Sequence, residues 1–341
     1  MQRERRKKSK GNLVNQLPWQ EVMTEFSALE IISEDEIESI HHASLDVLER
    51  VGMKILHQDA RKIFKDAGLD VDESSQMVHF DRNLVLSNIS KAPKEFTLRA
   101  RNPKRDLKIG GKRIVFSAIG GPAFCSDLDR GRRRGTFEDL CNYMKIIQSL
   151  NIIHQEGGMA FETIELPSST RHLDFYLAQF QLLDKNCQSS SMGKVRTKDC
   201  IDMHRIAFDC TREELLENPS VMGIINTNSP MQLDIPMSEA TIELARAGQA
   251  VCVTPFTLSG AMAPIKQAGT LVQQNAEILA VVTLTQLVRS GAPIIYGSFS
   301  TNVDMRTGSP AFGTPEYIRS TIAGGQLARF YGFPYRSSNT N

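Results

Sequence analysis

Apolar positions along the first hundred residues recur at helical spacing. Ser33-Glu-Asp-Glu36 reads as a capping box, after which Ile37, Ile40, Val47 and Leu48 fall near one face until Gly52. A second short helix carries Ile63 and Phe64 and ends at Gly68; a third runs through Leu84, Leu86 and Ile89 and stops before Pro93. Phe96-Thr-Leu-Arg-Ala100 alternates like a half-buried strand. Gly110-Gly111 predicts a tight hairpin turn between Leu107–Ile109 and Arg113–Phe116.

From about residue 114 short apolar runs alternate with longer helical stretches. The runs are Ile114–Ile119, Ile152–Gln155, Cys187–Ser190, Val221–Asn226, Ala250–Thr254, Pro293–Tyr296 and Phe333–Arg336, with starts about 30–43 residues apart, the length of one βα unit. Several are apolar on consecutive residues, as parallel strands buried on both faces must be. Threonines at 136, 211 and 314 cap predicted helices, the last followed by Pro315, and Gly248, Gly291 and Gly332 each end a helix just before a strand. The pattern predicts an α/β protein of the (βα)8 TIM-barrel type, incomplete at about seven βα units. It divides into a basic flexible tail (1–30), a helical leader and hairpin (31–112) and the barrel (113–341). An open doubly wound sheet is also compatible with seven strands, although no G-x-G-x-x-G follows the first of them.

Composition narrows the class. The formal net charge is +1, so no global field recruits nucleic acid or an anionic membrane. Residues 1–10 hold six basic side chains and one acidic one, a run expected to stay solvated. No apolar stretch is long enough for a membrane span, and no apolar segment follows the basic residues as in a secretory signal. Six cysteines without a C-x-x-C pair predict free thiols and a cytoplasmic location.

Three phrases add a resemblance: Gly269-Thr-Leu-Val-Gln-Gln-Asn-Ala-Glu-Ile-Leu-Ala280, Tyr296-Gly-Ser298 and Phe330-Tyr-Gly-Phe-Pro334. With the leader's Ala60–Phe64 phrase they resemble the trimethylamine methyltransferase family from about Ser33 to Asn341. The resemblance implies a barrel that transfers a methyl group from a tertiary or quaternary methylamine to the cobalt of a corrinoid carried by a separate, cognate protein. It also implies a homo-oligomer when intact. The family's founding members carry pyrrolysine at a position that aligns at or near Asn341. The chain resembles the branch without pyrrolysine, whose members act on quaternary amines such as glycine betaine. It stops before the eighth strand; pyrrolysine just past the end stays open.

In a barrel the site lies at the C-terminal ends of the strands. A quaternary ammonium has no proton to remove and no lone pair, so the protein's task is to hold the cation and orient one methyl. Tyr296, Phe256 and Phe299 are candidates for an aromatic cage and Glu156 for a carboxylate beside it. Asn226, Asn302 and Ser298 are candidates for orienting hydrogen bonds, Arg336 for binding a substrate carboxylate, and Asn341 stands at the pyrrolysine position. Each also has a plainer reading: phenylalanines fill barrel layers, Glu156 caps a loop, and Asn226–Ser229 satisfies loop backbone. No metal ligands are seated directly by a motif, and no nucleophile elbow or P-loop occurs. Two alternatives remain. One is an unrelated barrel lyase, which wants a strand-end lysine where only Lys194 comes near. The other is an inactive fragment with an open sheet edge.

Overall fold

The computed structural model describes residues 14–121, 124–189 and 192–338. Its centre is a parallel sheet of six strands: β1 (Gln155–Glu156), β2 (Asn186–Ser189), β3 (Val221–Ile225), β4 (Ala250–Val253), β5 (Ile294–Ser298) and β6 (Tyr335–Ser337). They lie side by side in chain order, which is the winding of a barrel and not of a doubly wound sheet. The run expected as the first of the seven strands, at 114–119, reaches the β1 edge but makes only one bridge, Ser117 to Gln155. Its start is drawn away, because Arg113–Ile114 pairs antiparallel with Val22–Met23.

Ten helices are described: α1 (Glu34–Arg50), α2 (Gln58–Asp66), α3 (Arg82–Ile89), α4 (Phe137–Ser149), α5 (Arg171–Leu182), α6 (Gly193–Ala207), α7 (Arg212–Glu217), α8 (Ile235–Arg246), α9 (Gln267–Val288) and α10 (Pro315–Tyr331). Ser33 and Glu36 form the expected capping box, and Thr136, Thr211 and Thr314 each accept a backbone N–H as N-caps. Gly248, Gly291 and Gly332 all take positive φ, the left-handed stop that lets a helix turn into the next strand. Crossover helices α4, α5, α6, α8, α9 and α10 each pack on the next, forming one layer outside the sheet.

Alternation along the strands fixes two cores. Val221, Ile225, Val251, Val253, Ile294 and Tyr296 point out to the helices. Met222, Ala250, Cys252 and Ile295 point to the concave side, where Leu98 and Leu107 meet them. Those last two belong to an antiparallel pair, Phe96–Leu98 with Leu107–Ile109, that plugs the N-terminal end of the barrel. Gly110-Gly111 does turn the chain, but Leu107–Ile109 pairs backwards with Phe96–Leu98 and not forwards with Arg113–Phe116. Beside the plug, the buried Lys185 donates from Nζ to the carbonyls of Ile147, Leu150 and Ile153, each at 2.6 Å. Trp19 packs edge-on against His154, which holds this part of the N-terminal stretch against the barrel floor.

The leader is not wholly helical. Met53–Ile55, Asp70–Asp72 and Met77–His79 form a small sheet with Gln232–Leu233 from the barrel. α9 is buried along most of its length between the barrel and α1, α2 and α3. That explains why it has no solvent-facing stripe, and why its polar side chains must find partners inside the protein.

Candidate functional site

At the C-terminal ends of the strands the register places Gln155, Gln188, Asn226, Thr254 and Arg336 on the concave face. Gln188 donates from Nε2 to Ser117 Oγ (2.9 Å) and Gln155 Oε1 (3.1 Å), while its own Oε1 is buried without a partner. Asn226 stands exposed at the mouth and donates from Nδ2 to the Thr254 carbonyl at 2.8 Å. Gly297 faces Arg336 across the β5–β6 pairing. A Cβ at Gly297 would come within 2.0 Å of Thr254 Oγ1 and 2.7 Å of the Val253 carbonyl, so only glycine lets β5 pack against the end of β4 here. Arg336 is half-buried, and among the described residues no carboxylate pairs with it. Its charge is felt by the Cys252 thiol, which lies on the same face.

Beyond the ends of β4 and β5 four aromatic rings meet. Phe256 lies 5.4 Å from Phe299, Phe299 lies 5.0 Å from Phe312, and Tyr317 stands perpendicular to Phe312 at 5.7 Å. Tyr317, in the first turn of α10, donates its hydroxyl to the Ser338 carbonyl at 3.0 Å. The sequence reading had Phe256 and Phe299. Phe312 and Tyr317 join them from a loop and a helix and carry no strand-end signal.

Other candidates sit elsewhere. Tyr296 and Ser298 have the opposite parity to Gly297 and face the helices. Tyr296 is fully buried, donates its hydroxyl to Asn275 Oδ1 (3.1 Å) and lies parallel to Tyr331 at 6.4 Å. Burial pushes its phenol well above the ordinary range. Ser298 donates to Gln274 Oε1 at 3.1 Å. Both therefore belong to the sheet–helix interface and not to a cage. Asn302 accepts from Thr314 Oγ1 at 2.8 Å, and its carbonyl accepts from Ala311 N at 2.9 Å, so it braces the loop 302–314. Asn341 lies outside the described residues.

Glu156 also faces the helices. Its Oε2 accepts from Gln179 Nε2 (2.6 Å) and Gly158 N (2.9 Å), and its Oε1 is buried without a partner. Burial raises its carboxyl to about 7. A folded pKa above the unfolded one means that the unfolded chain ionises first, so stability falls as pH rises through the window from about 4.5 to 7. The loss amounts to on the order of 3 kcal/mol. Glu156→Gln is expected to flatten that part of the stability–pH curve. Denaturation midpoints at pH 5 and 7.5 that shift alike in both proteins would count against this assignment.

A cavity of about 820 Å³ opens at the other end of the barrel, lined in part by Phe96, Arg99, Asp106, Lys108 and Arg289. Its Arg99, Lys108 and Arg289 are paired with Asp106, Glu21 and Glu217, which leaves little charge there for a ligand. Among the described residues no helix is long and apolar enough to cross a membrane, and no three His, Cys, Asp or Glu side chains cluster as metal ligands.

Winding, strand order and mouth together define a βα-barrel protein whose concave face carries a guanidinium unpaired with a carboxylate among the described residues, with an aromatic cluster beyond the ends of β4 and β5. The chain belongs to the trimethylamine methyltransferase (MTTB) family, whose sequence model matches residues 1–341. It is 37% identical over 307 residues to a glycine betaine methyltransferase of Desulfitobacterium hafniense (strain Y51), covering 90% of this chain and 64% of that protein. It is 32% identical over 304 residues to a trimethylamine methyltransferase, MttB, of Desulfitobacterium hafniense (strain DSM 10664 / DCB-2), covering 89% and 61%. A proline betaine:corrinoid methyltransferase of Eubacterium limosum is 28% identical over 320 residues, covering 90% and 64%. The chain thus spans less than two thirds of the length of each of these relatives. Among solved structures, the Methanosarcina barkeri monomethylamine methyltransferase MtmB superimposes with a TM-score of 0.49 at 11% identity, over 89% of this chain and 65% of that one.

Proposed function

We propose that this chain forms the substrate-binding part of a methyltransferase that demethylates a betaine, a quaternary ammonium bearing a carboxylate, and passes the methyl to a corrinoid held by a separate protein. The observation that carries the reading is Arg336, a guanidinium without a carboxylate partner among the described residues, on a concave face whose other strand residues are neutral. A carboxylate of the substrate fits that arginine in a two-pronged hydrogen bond. The trimethylammonium end fits the partly exposed rings of Phe256, Phe299 and Phe312, which the buried Tyr317 backs and whose faces attract a cation with no N–H to donate. A simple methylammonium ion wants a carboxylate opposite it, and none of the residues that the register places on the concave face is one.

Glutamine, asparagine, threonine and arginine stand at the strand ends of this face, with Cys252 buried beneath them, a poor set of ligands for a metal. They fit a methyl acceptor delivered through the open mouth at Asn226 better than one seated in this chain. Reduced cobalt of the partner's corrinoid supplies the nucleophile. The chain's own residues hold the cation, point one methyl toward the mouth and keep the carboxylate end fixed. The 37% identity to a glycine betaine methyltransferase supports the same choice of substrate.

The test is calorimetric titration with glycine betaine, tetramethylammonium and trimethylamine, followed by absorbance spectra with reduced cobalamin as acceptor. Glycine betaine is expected to bind at least about tenfold tighter than tetramethylammonium, with the difference supplied by Arg336. Tighter binding of trimethylamine, or no methyl transfer from any betaine, would overturn the proposal.

A further inference from the structure

The phrase Gly269–Ala280 lies on α9, yet none of its residues reaches the concave face. Its polar members are buried, and Gln274 is fully so. Gln274 Oε1 accepts hydrogen bonds from Ser298 Oγ at 3.1 Å and from Ser300 Oγ at 2.5 Å. Ser300 Oγ is in turn hydrogen-bonded to Thr257 Oγ1. A hydroxyl has one proton to give. Ser300 gives its proton to Gln274, so Thr257 donates to Ser300, and the chain of bonds runs in one direction from Thr257 to Ser300 to Gln274.

The three hydroxyl residues are placed with purpose. Ser298 and Ser300 flank Phe299, and Thr257 follows Phe256 directly in sequence. One amide oxygen therefore fixes the backbone on both sides of Phe299 and ties it to the residue next to Phe256. Those two rings are 5.4 Å apart and form the part of the aromatic cluster that grows from strand ends. A parallel pairing of Leu258–Ser259 with Thr301–Asn302 continues the same tie outward. The Gln274 side chain also bears on the Tyr296 phenol, so the amide links this run of hydroxyls to the sheet–helix interface.

We infer that Gln274 is a positioning residue that sets the Phe256–Phe299 aromatic wall from behind, through Ser298, Ser300 and Thr257. The inference rests on the proposal that this wall receives the quaternary ammonium, but its structural half is testable without any ligand.

Three proteins decide it: the full chain, Gln274→Met, which keeps volume and loses the acceptor, and Gln274→Glu, which keeps an accepting oxygen for the hydroxyls of Ser298 and Ser300. With 4-fluorophenylalanine incorporated and resonances assigned by single Phe→Leu changes, the Phe256 and Phe299 fluorine signals should shift or broaden in Gln274→Met. Those of Phe64 and Phe80, packed together in the leader, should not. Calorimetry should show glycine betaine binding at least tenfold more weakly in Gln274→Met, with most of the loss restored in Gln274→Glu. Unchanged Phe256 and Phe299 signals would overturn the inference whatever the ligand does, as would moved signals with unchanged affinity. If the unaltered chain binds no quaternary ammonium, the betaine proposal and the binding half of this inference both fail, and the fluorine spectra still decide whether Gln274 sets the rings.

Discussion

Replacing Glu277 by leucine is expected to lower the unfolding free energy by about 4 kcal/mol or more, because each buried donor left unpaired costs about 1–3 kcal/mol. Glu277 is fully buried on α9. One oxygen accepts from Ser229 Oγ at 2.7 Å and from Thr227 Oγ1; the other accepts from Met231 N at 2.9 Å and Gln273 Nε2 at 3.0 Å. Leucine removes both acceptors at once and leaves the loop that follows β3 without its anchor. Glutamine should be far milder, on the order of 1 kcal/mol, since its oxygen keeps two of the donors and its amide donates to hydroxyls that reverse their roles. Guanidinium denaturation of the three proteins checks this. A Glu277→Leu variant within about 1 kcal/mol of the parent would mean that water reaches those donors.

Arg336→Met should have the largest effect on binding. Losing a charge-assisted, two-pronged contact to a carboxylate is expected to weaken glycine betaine by about 2–3 kcal/mol, or roughly 30- to 150-fold in Kd. Tetramethylammonium has no carboxylate, so its affinity should stay within about twofold. The contrast between ligands separates a lost contact from a damaged site. Equal weakening of both ligands would show that Arg336 supports the fold of the mouth and does not read the substrate.

What could be read in the sequence was local. Caps at Ser33, Thr136, Thr211 and Thr314 and the glycine stops at Gly248, Gly291 and Gly332 depend on a few neighbouring residues, and each stands where the pattern put it. Strand parity was not legible. When both faces of a strand are buried, Ile294-Ile-Tyr-Gly-Ser298 gives no sign of which residues face inward. Tyr296 and Ser298 were therefore placed at the site, and Gly297 beside Arg336 was overlooked. Pairing partners were equally hidden: Gly110-Gly111 shows a turn but does not say which strand Leu107–Ile109 will join. The leader's two- and three-residue strands are too short to carry a period at all. Gln274 and Glu277 were visible only as part of a family phrase, since a buried polar side chain in an apolar helix reveals its partner only once the loops it ties are in place.

The packing of α1 on α9 bears on how the chain must be made. Ile37, Ile40, Leu45 and Leu48 emerge from the ribosome early, but their cover in α9 follows only after more than two hundred further residues. At ordinary rates of synthesis that interval is on the order of tens of seconds. Throughout it the leader covers α1 only in part, through α3 and the strand Met77–His79, and leaves the face that meets α9 open, a surface that a chaperone is built to hold. The segment that identifies the family in sequence is thus also the one whose arrival ends the leader's exposure.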